Sequence, residues 1–173
     1  MQEIEIKLGF DPRHLPATDT SLTELFGSPS QRKQLKNTYF DTPAKDLRDK
    51  GWTVRIRDKD GGFEQTVKGK GVVEAGLHQR LEVNQELDSY ALDTAKLSGI
   101  EEIAPFVSLL EPAFSTDFAR LTWEIRHNDS LIELALDSGV IISGQSEQAI
   151  SEIELELKQG KTGGTLSPGS GPG

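Results

Sequence analysis

The chain has 173 residues, with 19 Lys+Arg against 28 Asp+Glu for a net charge of −9, which argues against general binding to a nucleic-acid backbone. It contains no cysteine, so disulfides, thiolate metal sites and thiol nucleophiles are excluded. Hydrophobic residues make up 35% and charged residues 27%, with no apolar run of membrane-spanning length and no leader pattern, so the expectation is one soluble, cytoplasmic domain.

Taken in chain order, residues 2–9 alternate strictly and predict a strand, in which EIEIK (3–7) puts Glu3, Glu5 and Lys7 on one face and Ile4 and Ile6 on the other. A short helix is expected over 19–26 and a strand over 35–41. A second helix is expected from Thr42-Pro43 to a stop at Gly51. Strands follow at 52–58 and 62–68, joined at Asp60-Gly61-Gly62, and at 77–87. Helical segments are expected at 88–98, opening at Asp88-Ser89, and at 101–114, interrupted by Pro105 and Pro112. The remaining strands are 119–127, 130–137, 140–144 and 149–158, with hairpins at Asn128-Asp129 and Ser138-Gly139. The short turns predict antiparallel meanders, a mainly β chain with short helices (α+β). Residues 1–158 form the domain, and 159–173 are a Gly/Ser/Pro-rich flexible tail. The GKT in that tail is no phosphate loop, because Leu155 stands where the first glycine is required.

The polar faces carry the functional signal. Arg55 and Arg57 share a face, as do Glu64, Thr66 and Lys68. So do His78, Arg80, Glu82 and Asn84, then Glu133 and Asp137, and finally Glu152, Glu154, Glu156 and Lys158. One explanation is a sheet with a solvated outer face. The other is a barrel, which puts alternate residues inside and turns these faces into a charged tunnel wrapped by aliphatic residues. The R-x-R pattern favours the tunnel, since it concentrates bidentate donors suited to phosphate. Carboxylates at i and i+2 are hard oxygen ligands for Mg²⁺ or Mn²⁺. Phosphoryl transfer from a polyphosphate uses both sets. Tyr39 reads as a gate at the tunnel mouth or a packed rim aromatic, and Trp52 and Trp123 read as packing residues. His78 reads as a phosphate neutraliser or a surface group, and Asp117 as a turn-fixing residue or a metal contact.

The motifs EIEIK, NTYFDTP (37–43), VRIR (54–57), TVK (66–68), GLHQRLE (76–82), FSTDFAR (114–120), ELALD (133–137) and EIELE (152–156) occur in the order of the CYTH, or triphosphate tunnel metalloenzyme, superfamily. The chain resembles most closely its bacterial inorganic triphosphatase branch. The resemblance implies a closed eight-stranded antiparallel β-barrel that hydrolyses inorganic triphosphate to pyrophosphate and phosphate with Mg²⁺ or Mn²⁺. It assigns Lys7, Arg55, Arg57, Lys68, Arg80 and Arg120 to substrate binding and catalysis, with Glu82 beside them. The metal set it implies is Glu3, Glu5, Glu82, Asp137, Glu152, Glu154 and Glu156, with the ligating members of the last three left open. It also implies a helical CHAD domain following the barrel in a longer parent protein, and no nucleic-acid or membrane partner. Thiamine triphosphatase, class IV-type adenylyl cyclase and a non-catalytic polyphosphate-binding module are the alternatives.

Overall fold

The computed structural model describes residues 2–74 and 77–159. Among them the strands are β1 (Gln2–Gly9), β2 (Gln31–Asp41), β3 (Thr53–Lys59), β4 (Gly62–Lys68), β5 (Val72–Glu74), β6 (Leu77–Leu87), β7 (Glu111–His127), β8 (Ser130–Ser143) and β9 (Ser146–Gln159). The α-helices are α1 (Leu15–Phe26), α2 (Asp46–Lys50) and α3 (Thr94–Ser98). The sheet order is β1-β9-β8-β7-β2-β3-β4-β6-β5, and β1 pairs with β6 as well. That last ladder runs antiparallel from Gln2↔Leu81 to Ile6↔Leu77 and joins the two ends of an eight-strand circuit. It is a short seam beside the long β7–β8 ladder, which runs from Ser115↔Ile142 to His127↔Ser130. Only β5 stands outside the circuit, on the edge of β6.

Barrel closure sends alternate residues inward, and the period-two pattern decides which ones. The aliphatic faces point out and are covered by helices. Leu47 of α2 and Leu97 of α3 pack with Val54, Val67 and Ile103 against the outside of β3 and β4. On the other side Leu22 of α1 packs with Trp123, Leu134 and Leu136 against β7 and β8. The Trp123 indole donates to the Gly27 carbonyl at 2.9 Å, which ties the end of α1 to the barrel. The protein thus has two apolar cores outside its barrel.

The expected elements hold with four differences. First, β2 begins at Gln31 and β7 at Glu111, well before the expected 35 and 119. Pro112 does not stop β7, because it sits opposite Phe40 where the β2–β7 register slips, so its missing N–H leaves no regular ladder bond unmade. Second, Ser138-Gly139 is not a hairpin; β8 runs straight through it, and the turn lies at Gly144, with φ 60°. Gly139 is needed for close approach, since a Cβ there would lie 2.1 Å from the Asp117 carbonyl oxygen. Third, α2 starts at Asp46 behind a left-handed Lys45, with φ 64°. The buried Asp41 carboxylate accepts from the N–H groups of Thr42, Leu47 and Arg48 and holds this turn. Gly51 ends the helix in the left-handed conformation, as its position predicts. Fourth, the helix expected from Asp88 starts later, at Asp93, whose carboxylate accepts from the Lys96 N–H, and 101–114 contributes only a 3-10 turn at Ala104–Leu109. The tail, beyond Gln159, falls outside the described residues. No described helix is long and apolar enough to cross a membrane.

Candidate active site

The barrel encloses a cavity of about 570 Å³ lined by Glu5, Lys7, Arg55, Arg57, Lys68, Arg80, Glu82, Arg120, Asp137, Glu152, Glu154 and Glu156. Of the candidates named from the sequence, this omits only Glu3. Its backbone lies opposite Arg80 in the β1–β6 ladder, and its side chain, like that of His78, lies outside the described residues. Asp117 is not in the lining; it accepts a hydrogen bond from the Gln34 side-chain amide at 2.6 Å.

The ladders sort the charges into two walls. Glu5 of β1 pairs with Glu156 of β9, which pairs with Glu133 of β8. Asp137 of β8 lies opposite Glu152 of β9, and Lys7 opposite Glu154. β1, β9 and β8 therefore make an acidic wall. Across the lumen, Arg55, Arg57 and Lys59 of β3 and Lys68 of β4 make a cationic wall that Lys33 extends onto β2. Arg120 of β7 and Arg80 of β6 stand at the junctions. Arg120 grips Asp137 through two hydrogen bonds of 2.7 Å, with Glu154 at 3.5 Å, while Arg80 reaches Glu5 at 3.6 Å.

The acidic wall holds more negative charge than its cations absorb. Burial pushes the Glu152 carboxyl up, and the carboxylates of Glu154 and Asp137 add to this against the pull of Lys7. Burial likewise pushes Asp137 up despite its paired guanidinium. Glu154 is also buried, but Arg120 and Lys7 hold it below the usual carboxylate range. Lys7 is held above its ordinary value because Glu154 and Glu5 outweigh its burial. Lys158 is not simply solvated at the strand end; it bonds Glu156 at 2.7 Å, with Glu133 at 4.0 Å.

The cationic wall shows the converse imbalance. Arg57 donates through Nε to the neutral Asn37 side chain at 2.8 Å. Burial, with Arg55 and Arg120 nearby, pushes its guanidinium down to about 9. Arg55 is only 9% exposed, and its buried Nε has no hydrogen-bond acceptor. Tyr39 is a packed lumen aromatic: it stacks on Phe114 with ring centroids 4.7 Å apart. Burial raises its phenol, but the Arg55 charge and hydrogen bond prevail and hold it below the ordinary value.

A divalent cation fits the donor chemistry of the acidic wall. Its donors are carboxylate oxygens, and Glu5, 2% exposed, keeps one buried oxygen, Oε1, with no hydrogen bond. Among the described residues, however, no three acids converge into a group that could hold a metal ion. Two lumen cations, Lys33 and Lys59, were not singled out from the sequence. Lys59 continues the Arg55, Arg57 alternation by one step, and Lys33 continues that of Leu35, Asn37 and Tyr39 backwards, beyond the expected start of the strand.

An antiparallel barrel with its apolar cores outside and two opposed charged walls inside is a tunnel fold. A family model described as the CYTH domain matches residues 1–163, and the chain belongs to this family. An inorganic triphosphatase of Haemophilus influenzae is 42% identical over 168 residues, covering 92% of this chain and 46% of that protein. The chain thus spans about half the length of this curated relative. Among solved structures, a Hippeastrum protein proposed as an adenylyl cyclase and described as having a dominant triphosphatase activity superposes with a TM-score of 0.64 at 19% identity, covering 91% of this chain and 80% of its own. A Bacillus halodurans protein proposed as an adenylate cyclase gives 0.60 at 23% identity, covering 95% and 84%. At these identities the structural likenesses establish the fold.

Proposed function

We propose that the tunnel hydrolyses inorganic tripolyphosphate to pyrophosphate and phosphate, assisted by Mg²⁺ or Mn²⁺. The observation that carries this reading is the under-neutralised cationic wall, with Arg57 bonded only to a neutral amide among its described hydrogen bonds and Arg55 Nε buried without an acceptor. A small polyanion supplies the missing charge. The 42% identity to an inorganic triphosphatase favours the inorganic substrate.

In this reading Arg55, Arg57, Lys68 and Arg80 bind the phosphate oxygens, and Arg120, held in place by Asp137, completes the clamp. Glu5, Asp137, Glu152, Glu154 and Glu156, with Glu3 and Glu82 at the β1–β6 side, supply the carboxylates that would hold the divalent ion. When bound, that ion neutralises charge on the phosphate oxygens and lowers the pKa of water. The attacking water forms a bond to a terminal phosphorus, and the bond from that phosphorus to its bridging oxygen breaks. The water's proton passes to a carboxylate of the lumen, and pyrophosphate leaves against the cationic wall. A cytoplasmic setting and a helical CHAD domain in a longer parent belong to the same reading; the H. influenzae relative extends well beyond the aligned region.

The test is phosphate release from tripolyphosphate, pyrophosphate, ATP and thiamine triphosphate, with and without Mg²⁺ or Mn²⁺. Tripolyphosphate should be the preferred substrate. Preference for an organic triphosphate, or binding without turnover, would replace this reading with one of its alternatives.

A further inference from the structure

Phe118 of β7 is an uncharged residue set among the cations of the lumen, 6% exposed. The Arg57 guanidinium carbon lies over its ring at 6.0 Å from the centroid and that of Arg120 at 5.4 Å. One ring therefore serves two guanidiniums from different strands. Its own position is tightly determined: a Cβ on Gly139 would come within 2.5 Å of Phe118 Cα and 2.6 Å of its Cβ, so the β8 backbone presses directly against the base of the side chain.

The aromatic face attracts a cation through its quadrupole, without a formal charge. A carboxylate in the same place would bind guanidinium N–H groups and cancel part of the charge that a polyanion needs. Phe118 does neither. The terminal nitrogens of Arg57 carry no hydrogen bond among the described contacts, whereas Arg120 spends Nε and Nη2 on Asp137.

We propose that Phe118 is a positioning residue for the phosphate clamp, its ring holding the Arg57 and Arg120 guanidiniums in place while leaving their charge, and the free N–H groups of Arg57, for phosphate oxygens. This rests on the tripolyphosphate reading and adds to it an aromatic support that the charged motifs do not include.

Progressive fluorination of the Phe118 ring keeps its shape while weakening and then reversing the potential of its face. The Michaelis constant for tripolyphosphate should rise stepwise to roughly tenfold, with kcat changed less and the melting temperature unmoved. Phe118→Leu, which keeps apolar bulk but loses the ring, should show a comparable rise. The Nε–H proton resonances of Arg57 and Arg120 should lose their ring-current shifts in Phe118→Leu, whether or not tripolyphosphate turns out to be the substrate. A KM insensitive to fluorination, or a fall in melting temperature as the sole effect, reduces Phe118 to a packing residue and overturns the proposal. Arginine resonances that do not respond to Phe118→Leu also overturn it. Absence of tripolyphosphate turnover in the unmodified protein, with the resonance shifts as expected, instead overturns the substrate reading alone.

Discussion

Replacing Arg57 with alanine separates a functional cation from a structural one. The displacement of its guanidinium from 12.5 to about 9 corresponds to about 5 kcal/mol against the charged form in the empty lumen. Truncation removes that burden. It also loses a charged hydrogen bond to buried Asn37, worth about 1.5–3 kcal/mol, and a contact with Phe118 worth about 0.5–1 kcal/mol. The balance is near zero to slightly favourable, on the order of 1 kcal/mol, so the ligand-free variant should melt at the same temperature or a few degrees higher. Activity should move the other way. Losing one charged contact to phosphate costs about 1.5–3 kcal/mol of transition-state binding, roughly one to two decades in kcat/KM for tripolyphosphate. Calorimetry without ligand and phosphate release with Mg²⁺ read the two quantities on one preparation. A melting temperature lowered by more than about 5 °C would show that Arg57 supports the fold, and a kcat/KM within about twofold of the parent would remove it from the clamp.

Arg120→Ala should lose activity to a similar degree but also lose stability, by about 3–5 kcal/mol, because it strands the buried Asp137 carboxylate that it grips with two 2.7 Å bonds; thermal melts beside Arg57→Ala make the comparison. A chelator should abolish hydrolysis and added Mg²⁺ or Mn²⁺ restore it, and Glu5→Gln should raise the metal concentration needed for half-maximal activity by about tenfold or more while leaving the fold intact. Gly139→Ala should destabilise by more than about 3 kcal/mol in denaturant titrations, since its Cβ would meet β7 backbone at 2.1 Å. Gly9→Ala, with nothing within 4 Å, should stay within about 0.5 kcal/mol.

Much of the barrel was legible because its alternation is unusually clean. β1, β4 and β6 begin and end where the pattern predicts, and the residues sharing a charged face in VRIR, ELALD and EIELE share the lumen. What escaped prediction depends on neighbours that are distant in sequence. Ser138-Gly139 has the composition of a turn, but the glycine is required by the approach of β7, which only the folded barrel brings near. Pro112 looks like a break until Phe40 is placed opposite it at the register slip. Lys33 belongs to a stretch, QRKQ, that is too polar to read as a strand by itself, and its ladder with β7 makes it one. Phe118 reads as ordinary core, and its relation to Arg57 and Arg120 arises from three different strands.

The near echo of EIEIK in EIELELK has a topological explanation. The first and last strands of the circuit are neighbours, so the two motifs lie side by side and β8 adds the acids of ELALD. The R-x-R strand enters the circuit between β2 and β4, across the lumen from those acids. Strand order alone thus separates the charges that the sequence intersperses. Had the same residues alternated around the barrel, each arginine would find a carboxylate, as Arg120 finds Asp137, and the lumen would neutralise itself. Separation instead leaves Arg57 depressed on one wall and Glu152 raised on the other, two opposite electrostatic burdens facing a shared cavity. A polyphosphate carrying its own divalent cation relieves both at once, anion toward β3 and cation toward β9. Free phosphate alone would relieve one and leave the other, so selectivity for the metal-bound polyanion follows from the order in which the strands are joined.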